Sequence, residues 1–327
     1  MVGSQGLLRG ALAWEQSDRP PVLFTGGIWA GRLSGFSRDR LLDDASALAE
    51  AQWRVHELIG QDALLAYFDP LFIPEAYGCE LRFLETGPLV APIPLTRFAD
   101  QAPSVGDGRL PVVLEAVACM AARAGGRIPV GTLVEGPFTT LSRIADAEVL
   151  LRLTITDAAA VDAALGRMTE MLLAFCRAAA EAGADFVFVA DPVASATMIS
   201  PAMFGRFALP ALRELCAGLS IPVILHICGD TTPILADMAG SGAAALSLDQ
   251  CMDLREARRR IDGRCALAGN LDPMTLLMGT PEEVVRETRR VMEAGGNRGF
   301  ILMPGCGVPP GAPFQNVAAM VRAVREG

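Results

Sequence analysis

The sequence predicts an α/β protein: a (β/α)8 TIM barrel with a small β excursion after its second strand. Three observations carry this. β-rich runs alternate with amphipathic helical stretches from end to end, the runs number eight, and no Gly-x-Gly-x-x-Gly turn follows the first of them. An open doubly wound sheet, which also alternates β and α, would place that glycine turn there. Gly305, Gly307 and Gly311 have a different spacing and follow the last run instead. A length of 327 residues suits one barrel, and no linker, solenoid repeat or low-complexity tract divides it. Residues 1–327 therefore read as one domain.

In chain order, Leu7–Trp14 reads as an N-terminal helix and Val22–Thr25, introduced by Pro20 and Pro21, as the first strand. Helix Leu41–Ile59 leads to a second strand, Ala63–Phe68. The alternating, proline-bearing segment Tyr77–Arg97 is the expected excursion above the barrel. Helix Pro111–Arg123 precedes strand Ile128–Glu135. One long helix with an alanine-rich face is expected over Thr156–Ala182, ended by Gly183. Asp185–Ala190 (DFVFVA) is apolar along most of its length, as a strand buried on both faces must be. Helix Pro201–Leu219 leads to strand Val223–Ile227. Strands Ala244–Leu248, Cys265–Ala268 and Phe300–Met303 complete the set, separated by helices near Thr232–Ala239, Leu254–Ile261 and Pro281–Ala294.

Composition narrows the function classes. Apolar residues make up 51% of the chain and charged ones 20%, enough to bury a large core. A net charge of −9 disfavours nucleic acid and anionic membrane as partners. The chain contains no lysine, which excludes Schiff-base chemistry with a carbonyl substrate or pyridoxal phosphate. Its eight cysteines are scattered singly, without a Cys-x-x-Cys pair, so neither a redox motif nor a ribbon-type zinc site is present. The opening MVGSQGLLRGALAWEQSDRPPV has charges within and just after its short apolar stretch, unlike a signal peptide. Apolar runs stop short of the ~18–20 residues a membrane span needs. A reduced, cytoplasmic, soluble protein is expected.

In a barrel, the reactive groups sit at the carboxyl ends of strands. Polar residues fall at those points with unusual consistency: Glu135 (VEGP), Asp191 (ADPVAS), His226 and Cys228 (LHICGD), Asp249, Asn270 and Asp272, and Cys306 (MPGCG). Residues two apart on an extended strand end point the same way, so His226 and Cys228 can grip one ion. Cys306 lies in a glycine-flanked loop that faces the same mouth, where Gly305 and Gly307 are expected to let the backbone turn tightly. Two thiolates and one imidazole suit zinc far better than magnesium or calcium, and three protein ligands leave a fourth position free for catalysis. The only other histidine, His56, falls within the helix Leu41–Ile59 and reads as a partly exposed helix residue. Cys79, Cys119, Cys176 and Cys216 read as small core residues, while Cys251 and Cys265 lie near the rim.

LHICGD together with MPGCGVPP resembles the uroporphyrinogen decarboxylase superfamily, specifically its methylcobalamin:coenzyme M methyltransferase-like branch. RLPVVLEAV, VEGP, EAGADFVFVADPVAS, ILHICGDTTPILADMA, LAGNLDP and ILMPGCGVPPGAPFQNV fit it in order, over nearly the whole chain. The resemblance implies a zinc-dependent methyltransferase. A methyl group would pass from a methylated corrinoid (methylcobamide as co-substrate, on a separate corrinoid protein) to a small thiol such as coenzyme M. It carries the zinc ligands over to His226, Cys228 and Cys306. It also makes Asp249 the candidate for the fourth zinc position, and gives Asp191 and Glu135 the role of binding substrate or orienting a ligand. The thiol, with an ordinary pKa near 8.5, would lose its proton at zinc and attack the methyl carbon. The sulfonate of coenzyme M calls for an arginine that the sequence does not single out.

Two departures matter. The decarboxylase branch has an arginine-rich N-terminal motif that grips substrate carboxylates, whereas FTGGIWAGR retains Arg32 alone. A decarboxylase is therefore the alternative expectation, beside a methyltransferase whose acceptor is tetrahydrofolate. No Asp-x-His-x-x-Gly corrinoid signature is present, so a corrinoid would have to arrive on another protein.

Overall fold

The computed structural model describes residues 3–84, 87–100 and 103–326. Along the chain come β1 (Leu64–Leu65), a hairpin of β2 (Glu80–Leu84) and β3 (Gly87–Ala91), then β4 (Val130–Glu135), β5 (Phe186–Ala190), β6 (Val223–Ile227), β7 (Ala245–Leu248), β8 (Ala266–Leu271) and β9 (Phe300–Pro304). Strands β1 and β4 to β9 pair in chain order, all parallel, into one curled seven-stranded sheet with helices between the strands. This is the TIM-barrel-like α/β architecture. Strands β4, β6, β7, β8 and β9 are buried at every position, because side chains fill the inside and helices cover the outside.

The expected strand Val22–Thr25 is not a regular strand, although it stands in the eighth place. Val22 forms a single parallel bridge to Leu302 of β9. Leu23 N–H donates to the Leu302 carbonyl at 3.1 Å, and Leu302 N–H donates to Pro21 at 2.9 Å. On the other side, Asp62 N–H donates to the Val22 carbonyl at 2.8 Å, which joins the segment to the chain just before β1. Pro20 and Pro21 have no N–H to extend the ladder, and Gly26 and Gly27 turn the chain into a helix. Asp62, fully buried, finishes the closure. Its carboxylate accepts from Val22 N–H at 2.9 Å, from Ser4 Oγ at 2.8 Å, and from both terminal nitrogens of Arg19 at 2.6 and 2.8 Å.

One end of the barrel is plugged. Leu8 and Ala11 of the helix Ser4–Leu12 pack with inward-facing Leu133, Phe188, Ile224 and Ile301. Gln5 reaches Asp185 at 2.9 Å and Ser4 reaches Asp62, both just ahead of strands, so this helix covers the amino ends. The carboxyl ends are left as the open mouth.

The Tyr77–Arg97 excursion is the antiparallel β2–β3 hairpin, with Glu80 opposite Ala91; residues 85 and 86 lie outside the described residues. Several helices are cut where a side chain caps them. Asp44 splits the expected Leu41–Ile59 helix by accepting from Ala47 N–H. The expected Thr156–Ala182 helix is found as Ala158–Glu181, with Asp157 capping its start by accepting from Ala160 N–H and separating it from the preceding helix Ala147–Thr156. Pro201–Leu219 contains a π turn at Phe204–Ala208, ahead of Pro210. The helix near Thr232 begins only at Leu235. Among the described residues no helix is long and apolar enough to cross a membrane.

Candidate metal centre

Strand register sets the site. Glu135 is opposite Ala190, Ala190 opposite His226, and His226 opposite Ser247, so one row at the carboxyl end carries an acid, the imidazole and its partner. The row places His226 Nδ1 3.1 Å from the Ser247 carbonyl. A carbonyl oxygen only accepts, so Nδ1 carries the proton and the Nε2 lone pair faces the mouth. Nε2 lies 3.0 Å from Cys228 Sγ, and Cys228 Sγ lies 3.8 Å from Cys306 Sγ. The three donor atoms fall within 4.8 Å of one another. Two stretches, 78 residues apart, thus meet at the rim.

Each donor is held from behind. Ser195 Oγ donates to the Cys228 carbonyl at 2.6 Å, and Gly229 N–H donates to Asp249 Oδ2 at 2.8 Å. Cys251 N–H occupies Asp249 Oδ1 at 3.0 Å. Asp249, the candidate fourth ligand, therefore has an amide on each oxygen and stands outside the three-donor cluster; what it visibly does is hold the loop bearing Cys228. Cys306 is positioned by Gly305, whose N–H donates to the Leu271 carbonyl at 2.7 Å. The chain bends at Gly305 and Cys306, as expected from the sequence, but the backbone of neither Gly305 nor Gly307 is left-handed. Gly305 is needed for room: a Cβ there would lie 2.4 Å from Gln250 N. Gly305→Ala is expected to displace Cys306 and to weaken the hold of the three donors on a divalent metal by about 10- to 100-fold, as measured by competition with a chromogenic chelator.

The two thiols act on each other through their hydrogen bond. The hydrogen bond with Cys228, supported by His226, pulls the Cys306 thiol well below its ordinary range, while the same bond and burial push Cys228 up. The pair favours a thiolate on Cys306, a soft donor beside the imidazole.

The other two acids expected at the mouth are covered. Asp191 is fully buried: Oδ1 accepts from Thr139 N–H at 2.7 Å, at the start of the helix Pro137–Ala145, and Oδ2 has no partner among the described residues. Burial pushes its pKa up to about 6, and the Thr139 hydrogen bonds only partly oppose this. Gly136 makes space for it, since a Cβ there would come within 2.5 Å of the carboxylate. Glu135 is buried beneath Arg143, whose Nε donates to its two oxygens at 2.7 and 2.6 Å. Burial raises the Glu135 pKa despite that cation. Asn270 and Asp272 are structural: the first donates to the carbonyls of Asp249 and Met252, the second caps the helix Pro273–Met278. His56 is half-buried and its Nδ1 lies 2.9 Å from the Gln61 carbonyl. Cys79, Cys176 and Cys265 are buried and Cys216 half-buried, but Cys119 is exposed, because it sits on the solvent face of the helix Leu110–Ala124.

Cys306 opens onto a cavity of about 430 Å³. Ile28, Phe68, Leu71 and Val308 make its walls apolar, and Thr25, Tyr67, Asp69 and Arg143 add polar groups. Asp69 is neutralised: Arg109 donates to both its oxygens at 2.8 and 3.2 Å, and also pairs with Glu75. Sequence reasoning missed Arg143, Arg109, Ser195 and Ser247. Only Arg143 left a signal, as a cation eight residues after a strand-end glutamate, on the helix that follows.

Comparison with known proteins follows the same lines. The family model described as uroporphyrinogen decarboxylase (URO-D) matches residues 4–327. The methylcobamide:CoM methyltransferase MtaA of Methanosarcina barkeri is 33% identical over 276 residues, covering 82% of this chain and 80% of the relative. A uroporphyrinogen decarboxylase of Xylella fastidiosa is 32% identical over 289 residues, covering 81% and 80%. A solved methyltransferase from Methanosarcina mazei superposes with a TM-score of 0.93 at 30% identity, over 100% of this chain and 99% of its own.

Proposed function

Because the chain belongs to the uroporphyrinogen decarboxylase family, we propose that its mouth holds zinc and transfers a methyl group from a methylated corrinoid to a thiol. The corrinoid would be carried by a separate protein, and the acceptor would be coenzyme M or a related small thiol. The observation that supports this reading most is the convergence of His226, Cys228 and Cys306 at the edge of an open cavity. Two relatives named or described as methyltransferases match over most of the chain, which favours the same chemistry.

The residues present fit the ion. Nε2 of His226 and the two sulfurs are soft donors of the kind zinc takes, and their spread needs only small adjustment to close on one centre. Ser247 fixes the imidazole tautomer, while Asp249 and Ser195 brace the Cys228 loop. When bound, zinc would lower the pKa of an incoming thiol and supply it as a nucleophile at neutral pH. Two thiolate ligands offset the charge of the ion and leave the acceptor sulfur electron-rich. In the transfer, sulfur attacks the methyl carbon and the new carbon–sulfur bond forms. The cobalt–carbon bond breaks with its electron pair going to cobalt, taking Co(III) to Co(I), and the thiol proton passes to solvent.

Elemental analysis followed by a methylcobalamin assay with a panel of thiols tests the reading. One zinc per chain and thiol-dependent loss of the methylcobalamin spectrum are expected. The decarboxylase alternative has a relative of similar identity. Release of carbon dioxide from uroporphyrinogen by the metal-free protein would favour it, and methylation of tetrahydrofolate in place of thiols would favour the folate acceptor.

A further inference from the structure

Arg143 has a geometry that its ion pair does not use up. Only its Nε faces Glu135, donating to both carboxylate oxygens. The two terminal nitrogens have no hydrogen-bond partner among the described residues, and the side chain is 39% exposed, into the same cavity that Cys306 borders. A guanidinium recruited only to neutralise a buried carboxylate would usually present its fork of two nitrogens. Here the edge is spent on Glu135 and the terminal pair is left over. Glu135 is itself buried, so the guanidinium is held in place rather than sampling solvent. The other charged side chain on the cavity wall, Asp69, is tied up by Arg109 and by Leu71 N–H. Among the described residues the cavity therefore presents one free cationic edge, with Cys306 on its border and Ile28, Phe68 and Val308 among its walls.

Resting on the thiol-acceptor reading, we infer that Arg143 selects the acceptor: the cavity takes a small thiol with a short carbon chain and an anionic oxyacid, sulfonate or carboxylate, at its far end. The sulfur end goes to the His–Cys–Cys rim and the oxyacid to the terminal nitrogens of Arg143, while the apolar walls pack the carbons between. Glu135 is then a positioning residue that aims the guanidinium.

The test compares acceptors in the zinc-loaded protein with methylcobalamin as donor. 2-Mercaptoethanesulfonate and 3-mercaptopropionate are set against neutral 2-mercaptoethanol and cationic cysteamine. The wild type is expected to prefer the better anion over 2-mercaptoethanol by about 10- to 100-fold in kcat/KM, carried mainly by KM. Arg143→Gln should compress that ratio to within about threefold. Since this variant strands the buried Glu135, the double variant Glu135→Gln/Arg143→Gln removes both charges together and should compress the ratio equally. Arg143→Lys should keep part of the preference. A structural role alone would lower all thiols by one factor and keep the ratio, which would overturn the inference, as would a wild type indifferent to thiol charge. Binding of ethanesulfonate, which has no thiol, followed by calorimetry reads the site without turnover. Arg143-dependent binding in a protein that methylates no thiol would sustain the anion site while removing the methyl-transfer reading. Binding unchanged in Arg143→Gln would overturn the inference even where methyl transfer is confirmed.

Discussion

Replacing Cys306 by alanine is expected to abolish stoichiometric zinc binding and to cut methyl transfer by about 10³-fold or more, while circular dichroism and the unfolding midpoint stay near those of the wild type. The asymmetry follows from where Cys306 sits. It is exposed, on a loop beyond β9, and its sulfur contacts Cys228 rather than the core, so its loss leaves no internal cavity. Two ligands, His226 and Cys228, cannot hold zinc against dilution, and a thiol with pKa near 8.5 is then mostly protonated at neutral pH. Lost positioning adds to that lost ionisation, and together they account for the size of the drop. Atomic absorption and the methylcobalamin assay measure the two losses separately. Full activity in a metal-free Cys306→Ala protein would sink the proposed chemistry.

Asp62→Ala is expected to cost about 3–5 kcal/mol of stability, because it removes the fully buried member of an ion pair and leaves Arg19 without its partner. The same carboxylate also serves Val22 N–H and Ser4 Oγ, so three segments lose their tie at the point where the barrel closes. Denaturant unfolding measures the change. A pH dependence accompanies it. Burial raises the Asp62 pKa, but Arg19 and the Val22 amide outweigh burial and bring it below its ordinary value. A carboxylate depressed on folding contributes stability that is fully present above its unfolded pKa of about 3.9 and is lost as pH falls through the folded value. Asp62→Asn should therefore flatten the acid limb of the stability profile below about pH 4. An unchanged acid limb would contradict the assigned role of Asp62 in closure.

The elements that sequence patterns located well are those whose burial is uniform. Phe186–Ala190 and, apart from His226, Val223–Ile227 are apolar because both faces are covered, and their carboxyl ends fell where expected. The closing segment at Val22 was legible as extended chain but not as a single bridge, since its pairing is limited by Pro20 and Pro21 and completed by a side chain, Asp62, forty residues away. Of the site, His226 and Cys228 were legible through their two-residue spacing. Cys306 was legible through its place after the last strand, though Gly305 matters for clearance against Gln250 rather than for a left-handed backbone. The positions of Glu135 and Asp191 at strand ends were legible, but not their surroundings. Whether a strand-end acid faces the cavity depends on the helix that follows, here Pro137–Ala145, which supplies Arg143 to one and the Thr139 amide to the other. Asp249 shows the same limit, because two amides that claim its oxygens come from the turn of the chain around it.

X-ray absorption at the zinc edge, recorded on the purified protein before and after addition of a thiol acceptor, tests the central claim most directly. The account predicts two sulfurs near 2.3 Å and one imidazole nitrogen near 2.0–2.1 Å, with a light-atom fourth ligand replaced by a third sulfur when the thiol is added. A zinc shell of oxygen and nitrogen alone, or one that the thiol leaves unchanged, would contradict it.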